Sequence, residues 1–147
     1  MNRSTKHRSG FTLIELIAVI VILAIMAGVA LPRYFDYAAQ AREASVRGTL
    51  GGVRAGVANF YANEAINGTA AYPSLAQLNT LGTVMQEAIP DNPYVDDNTV
   101  VAATSVQAAA RTVVAGGAGW AYYVDNAASP PEMTLYANSS GSSENTW

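Results

Sequence analysis

The 147-residue sequence contains no cysteine, which excludes disulfides, thiolate zinc sites and cysteine nucleophiles. Histidine occurs only at His7, so a histidine-based triad or histidine-ligated metal cannot form in the rest of the chain. Charge is also sparse, at 13% of residues. No glycine-rich phosphate loop follows a predicted strand, and no carboxylate pair lies in an evident pocket motif. These absences exclude the catalytic and metal sites that depend on cysteine and histidine, whereas paired carboxylates remain possible in principle.

Positive charge is concentrated at the start of the chain. Arg3, Lys6 and Arg8 lie in the first ten residues, which contain no acid, while the whole chain has a net charge of −3. The remaining residues therefore carry −6, and such an acidic body does not favour nucleic-acid binding, which requires clustered Lys and Arg. Basic residues before an apolar run instead predict that the N-terminus stays in the cytoplasm.

The longest apolar run extends from Phe11 to Leu31, and its strongly polar side chains are Thr12 and Glu15. As a helix it is about 31 Å long, close to the hydrocarbon thickness of a bilayer. Three interpretations remain open: a signal anchor, a secretory signal cleaved before Leu31, or a segment with a dedicated use for Glu15. A carboxylate inside an apolar helix costs a few kcal/mol or more and usually marks a specific partner. Only the third interpretation explains it.

Helical periodicity continues beyond the apolar run. We predict one helix from about Thr12 to about Ala65, bent near Pro32 because proline removes a backbone hydrogen bond, and ended by Asn67-Gly68. Glu43 and Arg47 have the i,i+4 spacing of a stabilising ion pair. The apolar stripe that indicates the amphipathic second half comprises Phe35, Ala39, Val46, Leu50, Val53, Val57 and Phe60.

The remainder, residues 67–147, predicts loops and a small antiparallel sheet. Ser74 is predicted to be the N-cap of a short helix that ends at Leu81. Two alternating segments flank turn residues and indicate a hairpin. In the first segment Trp120, Tyr122 and Val124 share one face, and in the second Met133, Leu135 and Ala137 alternate with more polar residues. Residues 100–114 form an ambiguous segment, because its alanines suit a helix whereas the valine pairs at its two ends suit strands. Thr112 to Ala115 is a candidate third strand. Residues 139–146 are predicted to be a polar, mobile tail.

Other candidate sites are weaker. Asp91, Asp96, Asp97 and Asn98 supply hard oxygens that suit calcium, but their spacing matches no defined calcium loop and a solvated acidic turn is the favoured interpretation. Asn67 and Asn138 begin glycosylation-type motifs. The aromatic side chains of Trp120, Tyr122, Tyr123 and Tyr136 are interpreted as half core in preference to a binding patch.

The stretch "GFTLIELIAVIVILAIMAGVALPRYFD" resembles the N-terminus of type IV pilins and of type II secretion pseudopilins. The resemblance is dense from Gly10 to about Phe60. It implies a cleaved leader over residues 1–10, a transmembrane and filament-core helix over 11–32, an amphipathic helix over 33–66 and a globular domain over 67–147. The implied fold is α+β, a lollipop in which the long N-terminal helix packs on a small C-terminal antiparallel sheet.

The resemblance also implies roles for individual residues. The membrane prepilin peptidase would cut between Gly10 and Phe11 on the cytoplasmic side and N-methylate Phe11. Glu15 would meet the Phe11 amine of a neighbouring subunit, and the helix would bend at Pro32. The protein would wait in the bacterial inner membrane, with its C-terminal domain in the periplasm, before it assembles.

The implied partners are further copies of the chain, membrane lipid, the peptidase and an inner-membrane assembly platform, with no cofactor. The machine stays open among type IV pilus, mannose-sensitive-type pilus, secretion pseudopilus and DNA-uptake filament. The implied function is that of a structural filament subunit that does no chemistry itself. The alternative is a membrane-tethered or secreted monomeric binding or enzymatic domain with an ordinary signal sequence.

Overall fold

A computed structural model describes residues 10–141 and 143–147 of the chain. The predicted leader lies outside the described residues except for Gly10, as do Arg3, Lys6, His7 and Arg8. The chain divides into two compact units, residues 1–39 and 40–147. The first helix contributes residues to both units.

The first helix, α1, spans Leu13–Ile66, within one residue of the predicted limits at both ends. Its C-terminus has the predicted glycine signal. Gly68 adopts φ +87°, and Thr69 N–H donates to Glu64 O at 3.0 Å, which satisfies a carbonyl of the last helical turn. The helix is continuous through Pro32, so no local melting occurs there, and the bend at Pro32 stays a prediction.

In the second unit, α1 buries a narrow stripe formed by Val46, Leu50, Val53 and Val57. This stripe matches the centre of the predicted amphipathic face. Its predicted outer members differ, because Phe35 and Ala39 are exposed and Phe60 is half-buried. The buried stripe is therefore shorter than the periodicity indicated, since periodicity marks one side of a helix but not how far a partner covers it.

Two short helices follow, each with a reciprocal capping box. Helix α2 spans Leu75–Leu78 and is capped by the predicted Ser74, but it ends before Leu81. Helix α3 spans Ser105–Ala110, and Thr104 and Gln107 form its capping box. Each box satisfies amide groups that the first helical turn leaves without partners.

The sheet has three strands in the order β1-β2-β3. Strands β2, Trp120–Asp125, and β3, Glu132–Ala137, pair antiparallel with Tyr122 opposite Leu135, which confirms the predicted hairpin. Strand β1, Val100–Ala102, pairs parallel to β2, so the sheet is mixed and not wholly antiparallel. A parallel pair requires a crossover connection, which here contains α3.

The candidate strand at Thr112 to Ala115 was a wrong prediction. Those residues belong to the crossover between α3 and β2, and the third strand is formed by the valine pair at the other end of the ambiguous segment. Tyr136 Oη donates to Thr112 O at 2.9 Å. This loop therefore lies against β3 through a side-chain contact, without a ladder of backbone hydrogen bonds.

The core forms between the α1 stripe and one face of the sheet. Trp120 and Tyr122 of β2 and Leu135 and Ala137 of β3 are buried in it, with Val124 and Met133 packed at its edge. The predicted alternation of both strands is thus confirmed, and the structure assigns the apolar face of each to the core. The overall class is α+β with a long N-terminal helix packed on a small sheet. The opposite face is also covered at one end, where Ala121 and Tyr136 are fully buried.

The tail was also predicted wrongly, because much of the described part of it is ordered by packing. Asn138, Ser139 and Glu144 are buried, and Glu144–Thr146 forms a 3-10 helix. Arg54 Nη2 donates to Trp147 O at 2.7 Å. The guanidinium of Arg47 lies 4.7 Å from the centre of the Trp147 ring, a cation–π contact. The polar composition of the tail gives no indication of these contacts with α1.

Candidate functional site

The N-terminal end of α1 carries the residues to which the sequence assigns a function. Thr12 N–H and Thr12 Oγ1 each donate to Glu15 Oε2 at 2.8 Å. In return, Glu15 N–H donates to Thr12 Oγ1 at 3.3 Å. The two side chains therefore form a reciprocal capping box that satisfies amide groups at the start of the helix.

Sequence reasoning missed this local role of Glu15. The signal was present, because threonine followed three residues later by glutamate before an apolar run is the capping-box pattern. The box uses Oε2, whereas Oε1 takes no part in these hydrogen bonds. Since a carboxylate accepts about four hydrogen bonds, Glu15 retains capacity for another donor.

Gly10 and Phe11 precede the helix and are exposed. A Cβ added at Gly10 would meet no other atom within 4 Å. Packing within the described chain therefore does not require glycine at this position. The Phe11 side chain is 80% exposed, so neither residue is protected from an external protein.

The first half of α1 has apolar side chains on every side of the helix. The side chains from Phe11 to Tyr37 are exposed. An 18-residue window of this helix is long and apolar enough to cross a membrane by length and composition, and none of it is buried. A contiguous apolar surface of this kind calls for cover by lipid or by other protein.

The structure assigns a structural task to part of the acidic turn. Asp97 Oδ1 accepts hydrogen bonds from Thr99 N–H at 2.6 Å and from Gly119 N–H at 3.3 Å. Hydrogen bonds from the side chain and backbone of Thr99 lower the pKa of Asp97, because they favour the ionised form. Asp91 and Asp96 are exposed. Within residues 10–141 and 143–147, no three His, Cys, Asp or Glu side chains are grouped to hold a metal.

The remaining candidates are largely internal. Trp120, Tyr122 and Tyr136 are buried and Tyr123 is half-buried, which confirms the interpretation of these aromatic side chains as half core in preference to an exposed binding patch. Asn138 is also buried, and its Nδ2 donates to Val114 O and Ala118 O, both at 3.0 Å. Its glycosylation-type motif is therefore inaccessible in the folded chain, whereas Asn67 is exposed.

Comparison with known proteins bears on the N-terminal site. Residues 5–31 match the family model described as the prokaryotic N-terminal methylation motif. The chain is 39% identical over 59 residues to the fimbrial protein EcpC of Eikenella corrodens, a match that covers 40% of this chain and 39% of that protein. It is 44% identical over 59 residues to the type IV major pilin protein PilE of Neisseria gonorrhoeae, covering 40% and 35% of the two chains.

A third relative is the type IV narrow pilus major component PilA5 of Thermus thermophilus, 49% identical over 49 residues, which are 33% of this chain and 42% of that protein. The chain thus spans well under half of the length of each of these curated relatives. The similarity lies in the N-terminal region. No solved structure matches the chain.

Proposed function

We propose that this chain, whose N-terminal region is similar to that of type IV pilins, is a structural subunit of a helical filament. One observation carries the proposal. The methylation-motif match covers the start of an exposed apolar helix that has Glu15 in its first turn. The fimbrial and pilus names of the relatives support a pilus more than a secretion pseudopilus, and they support a structural protein more than an enzyme.

Maturation would begin with cleavage between Gly10 and Phe11 by the prepilin peptidase, followed by N-methylation of Phe11. The exposure of both residues supports access by that enzyme. Thr12 and Glu15 both follow the cleavage point, so the mature protein would keep the capping box. It would also gain an amine on Phe11, one helical turn before Glu15.

Assembly would transfer the apolar half of α1 from lipid to the matching helices of other subunits. In that low-dielectric core an unpaired charge carries a heavy penalty. The Phe11 amine of a neighbour would supply the additional donor that Glu15 can accept. In the correct stagger between subunits, the Glu15 carboxylate and the neighbour's Phe11 amine would pair. In any other stagger both charges would remain unpaired.

Before assembly the protein would lie in the bacterial inner membrane, with α1 spanning it once. The basic leader supports a cytoplasmic N-terminus and a periplasmic C-terminal unit. An assembly platform in the same membrane would extract the subunit. N-terminal sequencing of the mature protein tests this stage. Methylated Phe11 is expected, whereas Leu31 would indicate a secretory signal and an intact Met1 a plain anchor.

The role of Glu15 requires an experiment that separates its two partners. Glu15→Ala removes the charge and both hydrogen bonds that the carboxylate accepts. Thr12→Ala removes the two hydrogen bonds of the Thr12 hydroxyl and leaves the carboxylate, which keeps the bond from the backbone N–H of residue 12. We expect Glu15→Ala to be stable in the membrane and cleaved but not assembled, and Thr12→Ala to assemble. Filament yield is measured by shearing and immunoblotting, with membrane-bound and cleaved protein quantified in parallel.

Two outcomes contradict the pairing role. Normal filament yield from Glu15→Ala would show that the carboxylate does not select the neighbour. Equal loss of filaments from Thr12→Ala and Glu15→Ala, with cleavage intact in both, would assign the defect to the lost cap.

A further inference from the structure

A band of aromatic side chains follows the apolar part of α1. Tyr34, Phe35 and Tyr37 are 68%, 67% and 63% exposed, and Arg33 before them is also exposed. The rings of Tyr34 and Phe35 contact each other edge to face, with centroids 6.1 Å apart. Large exposed side chains grouped in this way indicate a partner outside the chain.

The position of the band along α1 matches a membrane boundary. A hydrocarbon core about 30 Å thick corresponds to about 20 helical residues at 1.5 Å each. A core that begins at Leu13, the first residue of α1, would therefore end at about Arg33. Tyr34 to Tyr37 would occupy the next ~4.5 Å, at the level of the lipid headgroups.

The directions of the side chains favour lipid over a single protein partner. At about 100° per residue, the three aromatic side chains spread over roughly 160° of the helix circumference. An apolar stripe about 100° wide is enough for a helix to dock on one neighbour, and the three aromatic side chains extend beyond that width. A headgroup layer surrounds the helix on every side. Tyrosine also combines an apolar ring with a hydroxyl, the pairing that enriches it at membrane interfaces.

We propose that Arg33, Tyr34, Phe35 and Tyr37 form an interfacial collar that fixes the depth of α1 in the membrane before assembly. The collar rests on the proposed function, because it requires α1 to be inserted. Its partner is the headgroup region of a phospholipid bilayer. Arg33 reaches phosphate from the hydrocarbon boundary, while the rings occupy the layer just outside it. Entry into a filament must release these contacts.

The cysteine-free chain permits a direct measurement of depth. A single Ala39→Cys substitution carries a spin label two residues beyond the collar, in full-length protein reconstituted into phosphatidylethanolamine–phosphatidylglycerol vesicles. Collision rates with oxygen and with a water-soluble nickel chelate report the depth of the label. Replacing all three aromatic residues with leucine should move the label inward by about one turn, roughly 5 Å, because leucine prefers hydrocarbon.

Matched controls use the same three positions and the same chain. Replacing the three residues with tryptophan preserves the interfacial preference and should leave the depth unchanged. An unchanged depth in the leucine variant would overturn the collar. Loss of filaments in both the leucine and the tryptophan variants, with the label at the parent depth, would also overturn the collar. That result would show that the aromatic band is a contact between subunits.

A label at Ile22→Cys separates the collar from the proposed function. It should lie deep in the hydrocarbon core of the same vesicles. If the Ile22 label is deep and the leucine variant does not shift, the collar alone fails. If the Ile22 label contacts water, α1 is not inserted, and both the membrane stage and the collar are refuted.

Discussion

Arg54 joins α1 to the last strand and to the last residue of the chain, and its removal should measure how much these attachments stabilise the fold. Arg54 Nη2 donates to Leu135 O at 2.8 Å and to Trp147 O at 2.7 Å. Hydrogen bonds from a charged donor contribute about 1.5–3 kcal/mol each when buried. The side chain is only half-buried, and water can replace part of both bonds. We therefore expect Arg54→Ala to lower the free energy of unfolding by about 2 kcal/mol.

The assay is urea unfolding of the full-length protein in detergent, followed by near-ultraviolet circular dichroism. Acrylamide quenching of tryptophan fluorescence adds a local measurement, because Trp120 is fully buried and increased quenching reports Trp147. Arg42→Ala is the matched control, an exposed arginine on the same helix, expected within about 0.5 kcal/mol of the parent. Equal stability of the two variants, with unchanged quenching, would refute the attachment of the tail through Arg54.

Two further substitutions test the packing of β2. In Gly119→Ala the added Cβ would overlap the Asp97 carbonyl oxygen and lie 2.8 Å from Asp97 C, so we expect a loss of about 3 kcal/mol or more by the same urea titration. Gly51→Ala, in open space on α1, is the control and should not destabilise the protein. Tyr122→Phe removes a 2.7 Å hydrogen bond to Pro73 O and should cost about 1 kcal/mol. Burial is the main cause, and Tyr72 the second, of the raised pKa of Tyr122, which lies above its ordinary 10.0. The free energy of unfolding is therefore unaffected by this group below pH 10 and falls as the pH rises above it, because the unfolded chain loses the phenol proton first. A fall that is equally steep in Tyr122→Phe would contradict this assignment.

The elements that were predicted correctly have local causes. The end of α1 follows from glycine at position 68, whose positive φ costs no steric energy without a Cβ. The inward faces of β2 and β3 follow from side-chain alternation, because each strand has one face on the core. Ser74 was predicted as a cap because its hydroxyl can accept an amide hydrogen bond within the first turn. Such signals are contained in a few consecutive residues.

The elements that were predicted wrongly depend on residues far apart in the chain. The parallel pairing of β1 with β2 requires the crossover that contains α3, and no short segment encodes it. The order of the tail depends on Arg54, which lies 93 positions before Trp147. The serine, glycine and asparagine residues of the tail are typical of mobile segments. The capping box at Thr12 was not predicted although its signal is local, because the cost of a carboxylate in an apolar run favours a partner outside the chain.

The capping box changes the energetic argument for Glu15. A carboxylate that already accepts two hydrogen bonds from Thr12 is less costly in an apolar environment than one with no donor. In the proposed membrane stage, these bonds within its own chain would therefore lower the cost of placing Glu15 in lipid. In the proposed filament the neighbour's amine would add a charge-assisted bond to a side chain already oriented by the box. The gain from correct stagger is then the difference between a locally satisfied carboxylate and a paired one, which is smaller than the full cost of an isolated charge. Because pairing of Glu15 with the neighbour's amine would add only this smaller gain, subunits that enter with the wrong stagger would be free to dissociate and align again.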